Sequence, residues 1–362
     1  MAAHLPRPPR DGAPLRSARR IPELDALRGI AALAVVLFHY TSSYDSQFGH
    51  LAALPDFEVG RRGVQLFFIL SGFVIFMSLE RTAGATQFLV ARVARLYPTY
   101  WVGVLLTSVV LATVTLPGHP IDPGQLLANL TMAQQWFGGT NVDGVYWTLT
   151  VELAFYALML AAYRLRCLDR IEAMGGIVVI AVFALIVVDQ ANGFALRHYP
   201  APRMLLGSVH LFYAGILLYR LPRHHSPRAI GLLAFCVMVE SFFNPATVLL
   251  VLASGAAIGL AAFRGIPVLR WRPLLFLGSI SYPLYLLHNN IGFTIIRGLY
   301  ALGVEHPLLI LGVPIAAAIL LATALHYAVE EPAQRWMRER LRPALRDRAR
   351  PPAATAELSR VA

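Results

Sequence analysis

Arg28 and His39 stand eleven residues apart in an otherwise apolar stretch, Asp25-Ala-Leu-Arg28-Gly-Ile-Ala-Ala-Leu-Ala-Val-Val-Leu-Phe-His39. On a helix that spacing is about 16 Å along the axis and close to three turns, so both side chains share one face. A guanidinium grips phosphate or carboxylate through charge-assisted hydrogen bonds. An ordinary imidazole exchanges protons near neutral pH. One stripe therefore joins an anion anchor at one depth to a proton acceptor at another. The plain alternative has Arg28 reaching for lipid headgroups and His39 satisfied in packing; it explains either residue alone better than the aligned pair. Asp25 is expected to cap the start of this helix.

Other residues of the same kind follow. Arg92 and Arg95 are three apart, hence neighbours on one helical face, and a paired guanidinium site suits phosphates. The structural alternative for them is a topology signal at the cytoplasmic edge. Ser71-Gly72 sits in Gly63-Val-Gln-Leu-Phe-Phe-Ile-Leu-Ser71-Gly72-Phe73, where a small pair also permits close helix approach. Trp147-Thr148-Leu-Thr-Val-Glu152 places a carboxylate about 9 Å inside the outer end of its span. Ser281-Tyr282-Pro283-Leu-Tyr285-Leu-Leu-His288 puts a second histidine near mid-depth, beyond a proline expected to kink the helix. Ionisable groups within a bilayer are costly, so each marks a candidate site. Arg28, His39 and Glu152 are the catalytic candidates; Arg28, Arg92 and Arg95 are the donor-binding ones. Ser71, Trp147, Tyr282 and His288 are candidate cavity-lining residues. Glu330 and Glu331 read as a solvated helix end.

The elements that must position these groups are transmembrane helices. The 362 residues are 57% hydrophobic and 14% charged, whereas soluble domains carry about 25% charged residues. Ten stretches approach the ~20 apolar residues that a span needs: 22–44, 63–80, 97–116, 146–165, 173–191, 203–221, 227–243, 245–264, 276–299 and 306–329. The fold class is thus an all-α polytopic membrane protein, a bundle of about ten helices. The stretch 124–137 in the longest loop is suited to lie at the interface.

All 31 basic residues are Arg; 26 fall on the side of the two tails and 5 on the other. The positive-inside rule makes that side, and both termini, cytoplasmic. The formal charge of +11 is therefore spread over loops and tails, and a nucleic-acid partner is excluded. Residues 1–20 and 333–362 read as disordered basic tails flanking a membrane domain at 21–332, and the first hydrophobic stretch as a retained span, not a signal peptide. Cys167 and Cys236 indicate no disulfide framework.

In this order along the chain, the segments resemble acyltransferase family 3 of integral membrane proteins. The likeness is carried by Leu24-Asp25-x-Leu27-Arg28-Gly29 with His39, and by Gly63-Val-x-Leu-Phe-Phe-x-Leu-Ser71-Gly72-Phe73. It continues in Arg92-x-x-Arg95 with Tyr97-Pro98, in Trp147-Thr-Leu-x-Val-Glu152 with Phe155-Tyr156, and in Ser281-Tyr282-Pro283-x-Tyr285-x-x-His288. Each motif is weak singly; together they are specific. Thr148 departs from the family's common Ser but keeps a hydroxyl.

The resemblance implies a ten-helix bundle in a bacterial inner membrane with a donor tunnel open to the cytoplasm. Arg28 and His39 would be the essential pair, and Arg92/Arg95 a second basic motif. It further implies O-acylation of a glycan, a surface-polysaccharide precursor or an antibiotic, with acyl-CoA (by default acetyl-CoA) as co-substrate and neither metal nor permanently bound cofactor. Some members carry a C-terminal esterase-like domain; here about 30 residues follow the last span, so a second transfer step would fall to another protein. His39 would act as general base on the acceptor hydroxyl or accept the acyl group itself. A secondary transporter or flippase for a small polar solute is the rival class. It predicts two halves with matching hydropathy and broken helices, and no such repeat relates 22–165 to 173–329.

Overall fold

The computed structural model describes residues 21–340 except 51, 83, 115, 117–121, 194, 225 and 338. The expected tails at 1–20 and beyond 340 lie outside the described residues. Among these residues ten long helices follow one another: α1 (Pro22–Phe38), α2 (Gly63–Glu80), α3 (Ala85–Thr113), α4 (Trp147–Arg164), α5 (Ile171–Ala191), α6 (Pro200–His224), α7 (Pro227–Phe243), α8 (Val248–Phe263), α9 (Arg272–Ala301) and α10 (Pro307–Leu325). Among the described residues there is no strand. The molecule is an all-α, multi-pass integral membrane protein.

Among the described residues, eight helical stretches are long and apolar enough to cross a bilayer. The two long helices outside that set have separate physical reasons. α7 has only 17 residues, short of the ~20 that span hydrocarbon. α9 has 30 residues but buries Ser281, Tyr282, His288, Asn289 and Asn290, so protein rather than lipid surrounds its polar groups. The outside of the bundle is apolar, as with Leu249, Leu308, Leu320 and Ile177.

α1 packs along α9, α9 along α10, and α2 along α6. Glycines set the first and last of these contacts. A Cβ on Gly29 would stand 2.5 Å from Gly278 N, and one on Gly278 would collide with Asp25 O. Gly72 likewise meets the backbone of Phe212, so its expected role in close approach holds.

Three local features differ from expectation. Asp25 does not cap α1: the helix opens at Pro22 after Ile21, and Asp25 lies with Glu23 in the first turn, where a carboxylate suits the dipole and proline's missing N–H has no helical partner anyway. α3 begins at Ala85 rather than near 97, which places Arg92 and Arg95 about 10 and 15 Å along it instead of at its edge. Helical winding also widens to π at His39–Ser43 and at His326–Glu330. At the first, His39 Nδ1 lies 2.9 Å from Val35 O and Thr41 Oγ1 donates to Leu37 O at 2.7 Å. Side chains there compete for carbonyls four residues back. Such widenings concentrate at functional sites. In the longest loop the interfacial stretch forms two short helices, Pro123–Asn129 and Gln134–Phe137, with Leu127 and Phe137 exposed.

Candidate active site

Three cavities share Arg28. The largest, about 470 Å³, opens at one end of the bundle and is lined by Ile21, Asp25, Arg28, Arg95, Glu330 and Gln334 among others. Residues from both described chain ends thus border one cavity, which puts those ends on the same side. Beyond it, about 50 Å³ of narrower space runs between Arg28, Phe68, Ser71, Thr148, Glu152 and Tyr285. A third space of about 20 Å³ is bordered by Arg28, Ser71, Arg92, Arg95, Glu152 and Tyr156. The fold therefore gathers the three arginines, Ser71 and Glu152 from α1, α2, α3 and α4.

Glu152, Ser71 and Arg92 are each held by neighbours. Glu152 Oε1 accepts from Ser71 Oγ at 3.0 Å and from Tyr156 OH at 2.5 Å. Arg92 Nη2 donates to Ser78 Oγ at 3.0 Å, and its guanidinium lies over the rings of Phe88 and Tyr156 at 5.5 and 5.9 Å. Tyr282 borders the two larger spaces, but its hydroxyl ties α9 to α3 by donating to Leu96 O at 2.9 Å. Trp147 meets Phe68 edge-on at 5.9 Å. Thr148 Oγ1 lies 3.0 Å from both Val145 O and Tyr285 OH, so the hydroxyl kept at this position is used. Glu330 is not solvated, as its place at a helix end had implied. It is buried, 2.7 Å from His326 Nδ1, and accepts from Gln334 Nε2 at 3.1 Å; a carboxylate removed from water takes such partners.

His39 and His288 form a pair. His288 Nε2 lies 3.1 Å from His39 Nδ1, and the rings meet edge to face with centroids 4.9 Å apart. His288 Nδ1 lies 2.9 Å from Tyr285 O and His39 Nδ1 2.9 Å from Val35 O. Carbonyls only accept, so both Nδ1 atoms carry hydrogen in the neutral pair. The His39 Nδ1–H is then shared between Val35 O and His288 Nε2, which leaves His39 Nε2 with a free lone pair. Neither imidazole is hydrogen-bonded to Glu152 among the bonds found for that carboxylate.

Neighbours of the pair line an inner and an outer space. Tyr285 lines the narrow inner space, and its ring centroid is 5.6 Å from that of His288. On the other side, Thr41, two residues past His39, lines an outer cavity of about 430 Å³ with Ser42, Asp45, His50, Asp56 and Glu58. The sequence placed Arg28, His39 and the Arg92/Arg95 pair, but treated His288 only as a lining residue. It gave no role to Tyr156 or Tyr285. The Asn289-Asn290 pair, too polar for mid-span, was the available signal that α9 faces protein around His288.

The sequence model described as an acyltransferase domain, that of the acyltransferase 3 family, matches residues 21–327. The chain belongs to the acyltransferase 3 family. Family relatives include acyltransferase MdmB of Streptomyces mycarofaciens, 35% identical over 40% of this chain and 40% of MdmB. The putative peptidoglycan O-acetyltransferase YrhL of Bacillus subtilis is 26% identical over 75% of this chain and 48% of its own length. The exopolysaccharide production protein ExoZ of Rhizobium meliloti is 26% identical over 78% of this chain and 92% of its own. The aligned regions thus span less than half of the first two relatives. No solved structure gives a significant match.

Proposed function

We propose that this acyltransferase 3 protein moves an acyl group, by default acetyl, from acyl-CoA on the cytoplasmic side to a hydroxyl of a glycan or surface-polysaccharide precursor, in a bacterial inner membrane. The observation that carries the reading is the His39–His288 pair, whose neighbours Tyr285 and Thr41 line, respectively, a narrow inner space that shares Arg28 with the arginine-bordered ones and an outer cavity rich in hydroxyl and carboxylate groups.

Arg28 and Arg95 border the largest inner cavity and Arg92 the space beside it, where guanidinium groups suit the donor's phosphates. The pantetheine arm would follow the narrow space past Ser71 and Tyr285 and bring the thioester toward the histidines. The acceptor hydroxyl, from the outer cavity, gives its proton to His39 Nε2. Its oxygen adds to the thioester carbon, the C–S bond breaks, and the imidazolium returns the proton to the departing thiolate. In the two-step variant His39 Nε2 attacks the thioester carbon and the C–S bond breaks to release the thiolate; the acceptor oxygen then takes the acyl group from the imidazole, and its proton passes by way of Nε2 to the thiolate. Names such as peptidoglycan O-acetyltransferase among the relatives support an oxygen acceptor.

The test is binding of labelled acetyl-CoA to purified protein in detergent. Wild-type binding that Arg28→Ala weakens supports the reading. Absence of binding by any acyl-CoA, with solute movement in vesicles, would replace it with a transporter.

A further inference from the structure

Asp143 is fully buried, outside every cavity described above. It caps the short turn Gly144–Tyr146. Its Oδ1 accepts from Val145 N at 3.2 Å and from Asn289 Nδ2 at 2.8 Å, and its Oδ2 accepts from Asn290 N at 3.0 Å. Asn290 Nδ2 reaches back to Val142 O at 3.0 Å, and Tyr146 OH donates to Leu286 O at 3.4 Å. In a regular helix Asn290 N–H donates to Leu286 O; here a carboxylate also accepts from that N–H and a phenol also donates to that carbonyl. From α1, Tyr40 OH donates to His288 O at 2.8 Å. The backbone of α9 is thus gripped from outside at His288 O and Asn290 N, immediately around the residue that faces His39.

The consequence runs through bond geometry. The His288 ring is oriented by the carbonyl of Tyr285, and His288 Nε2 can accept from His39 only while that stretch of α9 keeps its present rotation. Releasing the hold at Asn289 and Asn290 would free that turn of α9 to shift, and the bond from His39 weakens steeply with distance and angle. We propose that Asp143 is a positioning residue for the histidine pair: by holding α9 at Asn289 and Asn290 it keeps His288 Nε2 beside Val35 O as the second acceptor of the His39 Nδ1–H, and so favours an unprotonated His39 Nε2. This rests on the reading of His39 as base or acyl acceptor, but the orienting role is a property of the protein without substrate.

The experiment uses that difference. In full-length protein labelled with ¹⁵N-histidine, the nitrogen shifts report which ring nitrogen carries hydrogen, with the His39 and His288 signals assigned by loss in His39→Gln and His288→Gln. Wild type should show His39 as a single Nδ1–H tautomer. Asp143→Asn, which turns an amide donor toward Asn289 or Asn290, should shift His39 to a mixture of tautomers. The exchange Asp143→Asn with Asn289→Asp restores a donor–acceptor pair across the same gap and should return the single tautomer. If Asp143→Asn does not yield a monodisperse protein, Asn289→Ala, which removes one donor from the carboxylate, is read in the same way. A His39 tautomer unchanged in the single variant, or not restored by the exchange, would overturn the assignment. Acetyl-CoA binding tests the proposed function separately, so either can fail without the other.

Discussion

His288 Nε2 stands 3.1 Å from His39 Nδ1, across 249 residues of sequence. α9 and α1 approach closely because Gly278 and Gly29 face one another a few turns away, and the widened turn at His39–Ser43 begins where the two imidazoles meet. In this arrangement one histidine holds the hydrogen of the other and leaves its far nitrogen free.

The two histidines should therefore differ under substitution. His39→Ala removes the proton acceptor and should lower acyl transfer by about 10²–10⁴-fold. His288→Gln keeps an oxygen able to accept the His39 Nδ1–H and should stay within about tenfold of wild type, whereas His288→Leu offers no acceptor and should fall by about 100-fold, the range for loss of an orienting partner. Initial rates with acetyl-CoA check the order. A His39→Ala protein as active as His288→Gln would remove His39 from the chemistry.

Donor affinity should follow the arginines. Arg28 borders all three inner spaces. A hydrogen bond to a charged group contributes about 1.5–3 kcal/mol, so Arg28→Ala or Arg95→Ala should each raise the Kd for acetyl-CoA roughly 10- to 100-fold. Arg28→Lys should recover only part, since an ammonium lacks the planar fork. Glu152→Gln removes a negative charge from the same cluster while keeping an oxygen for Ser71 and Tyr156, and should not weaken binding. Equilibrium dialysis measures all four; weaker binding in Glu152→Gln would mean that the carboxylate itself grips the donor.

Packing at the α1–α9 contact should be unforgiving. A Cβ at position 29 would lie 2.5 Å from Gly278 N and 2.7 Å from Leu277 C, against backbone that cannot step aside. Gly29→Ala should destabilise the bundle by about 1–3 kcal/mol and shift Arg28 and His39 together. Gly312→Ala, where nothing lies within 4 Å of the new methyl, is the matched control. Thermal stability in detergent, followed by size-exclusion, should fall for the first and hold for the second.

Much of this was legible in sequence because lipid imposes a simple grammar. Long apolar runs mark helices, the Arg bias orients them, and an ionisable residue inside a run advertises a site. Arg28, His39 and Glu152 became candidates in that way. The grammar fails where polar residues satisfy one another. α9 falls outside the apolar spans because it buries its polar groups against α1, α3 and the 142–146 turn. Arg92 and Arg95 seemed to mark a membrane edge, yet α3 continues two turns outward. The His39–His288 bond joins residues with no local relation, and Asp143, in a loop, carried no periodic signal.

His50 lies beyond the spans at the outer cavity. Its Nε2 is 3.1 Å from Tyr40 O and 3.2 Å from Thr41 O, and its Nδ1 is 2.7 Å from Tyr300 OH. The carbonyls require hydrogen on Nε2, so Nδ1 accepts from the phenol and the neutral ring satisfies every contact. Burial holds the imidazole below its ordinary value of 6.5, against the opposing pull of the Thr41 carbonyl, the Asp45 carboxylate and the Tyr40 carbonyl. Because the folded pKa is depressed, the unfolded chain binds the proton first. The neutral ring's contribution is complete above 6.5 and is lost as pH falls through the folded value. Amide-exchange protection at His50 N, bonded to Asp45, and at Phe57 N, bonded to Ser42, should therefore decline on acidification below about pH 6.5. His50→Gln should flatten that decline. Protection in wild type that held constant down to pH 5 would show that the protonated ring is equally well accommodated, with Tyr300 turned to accept.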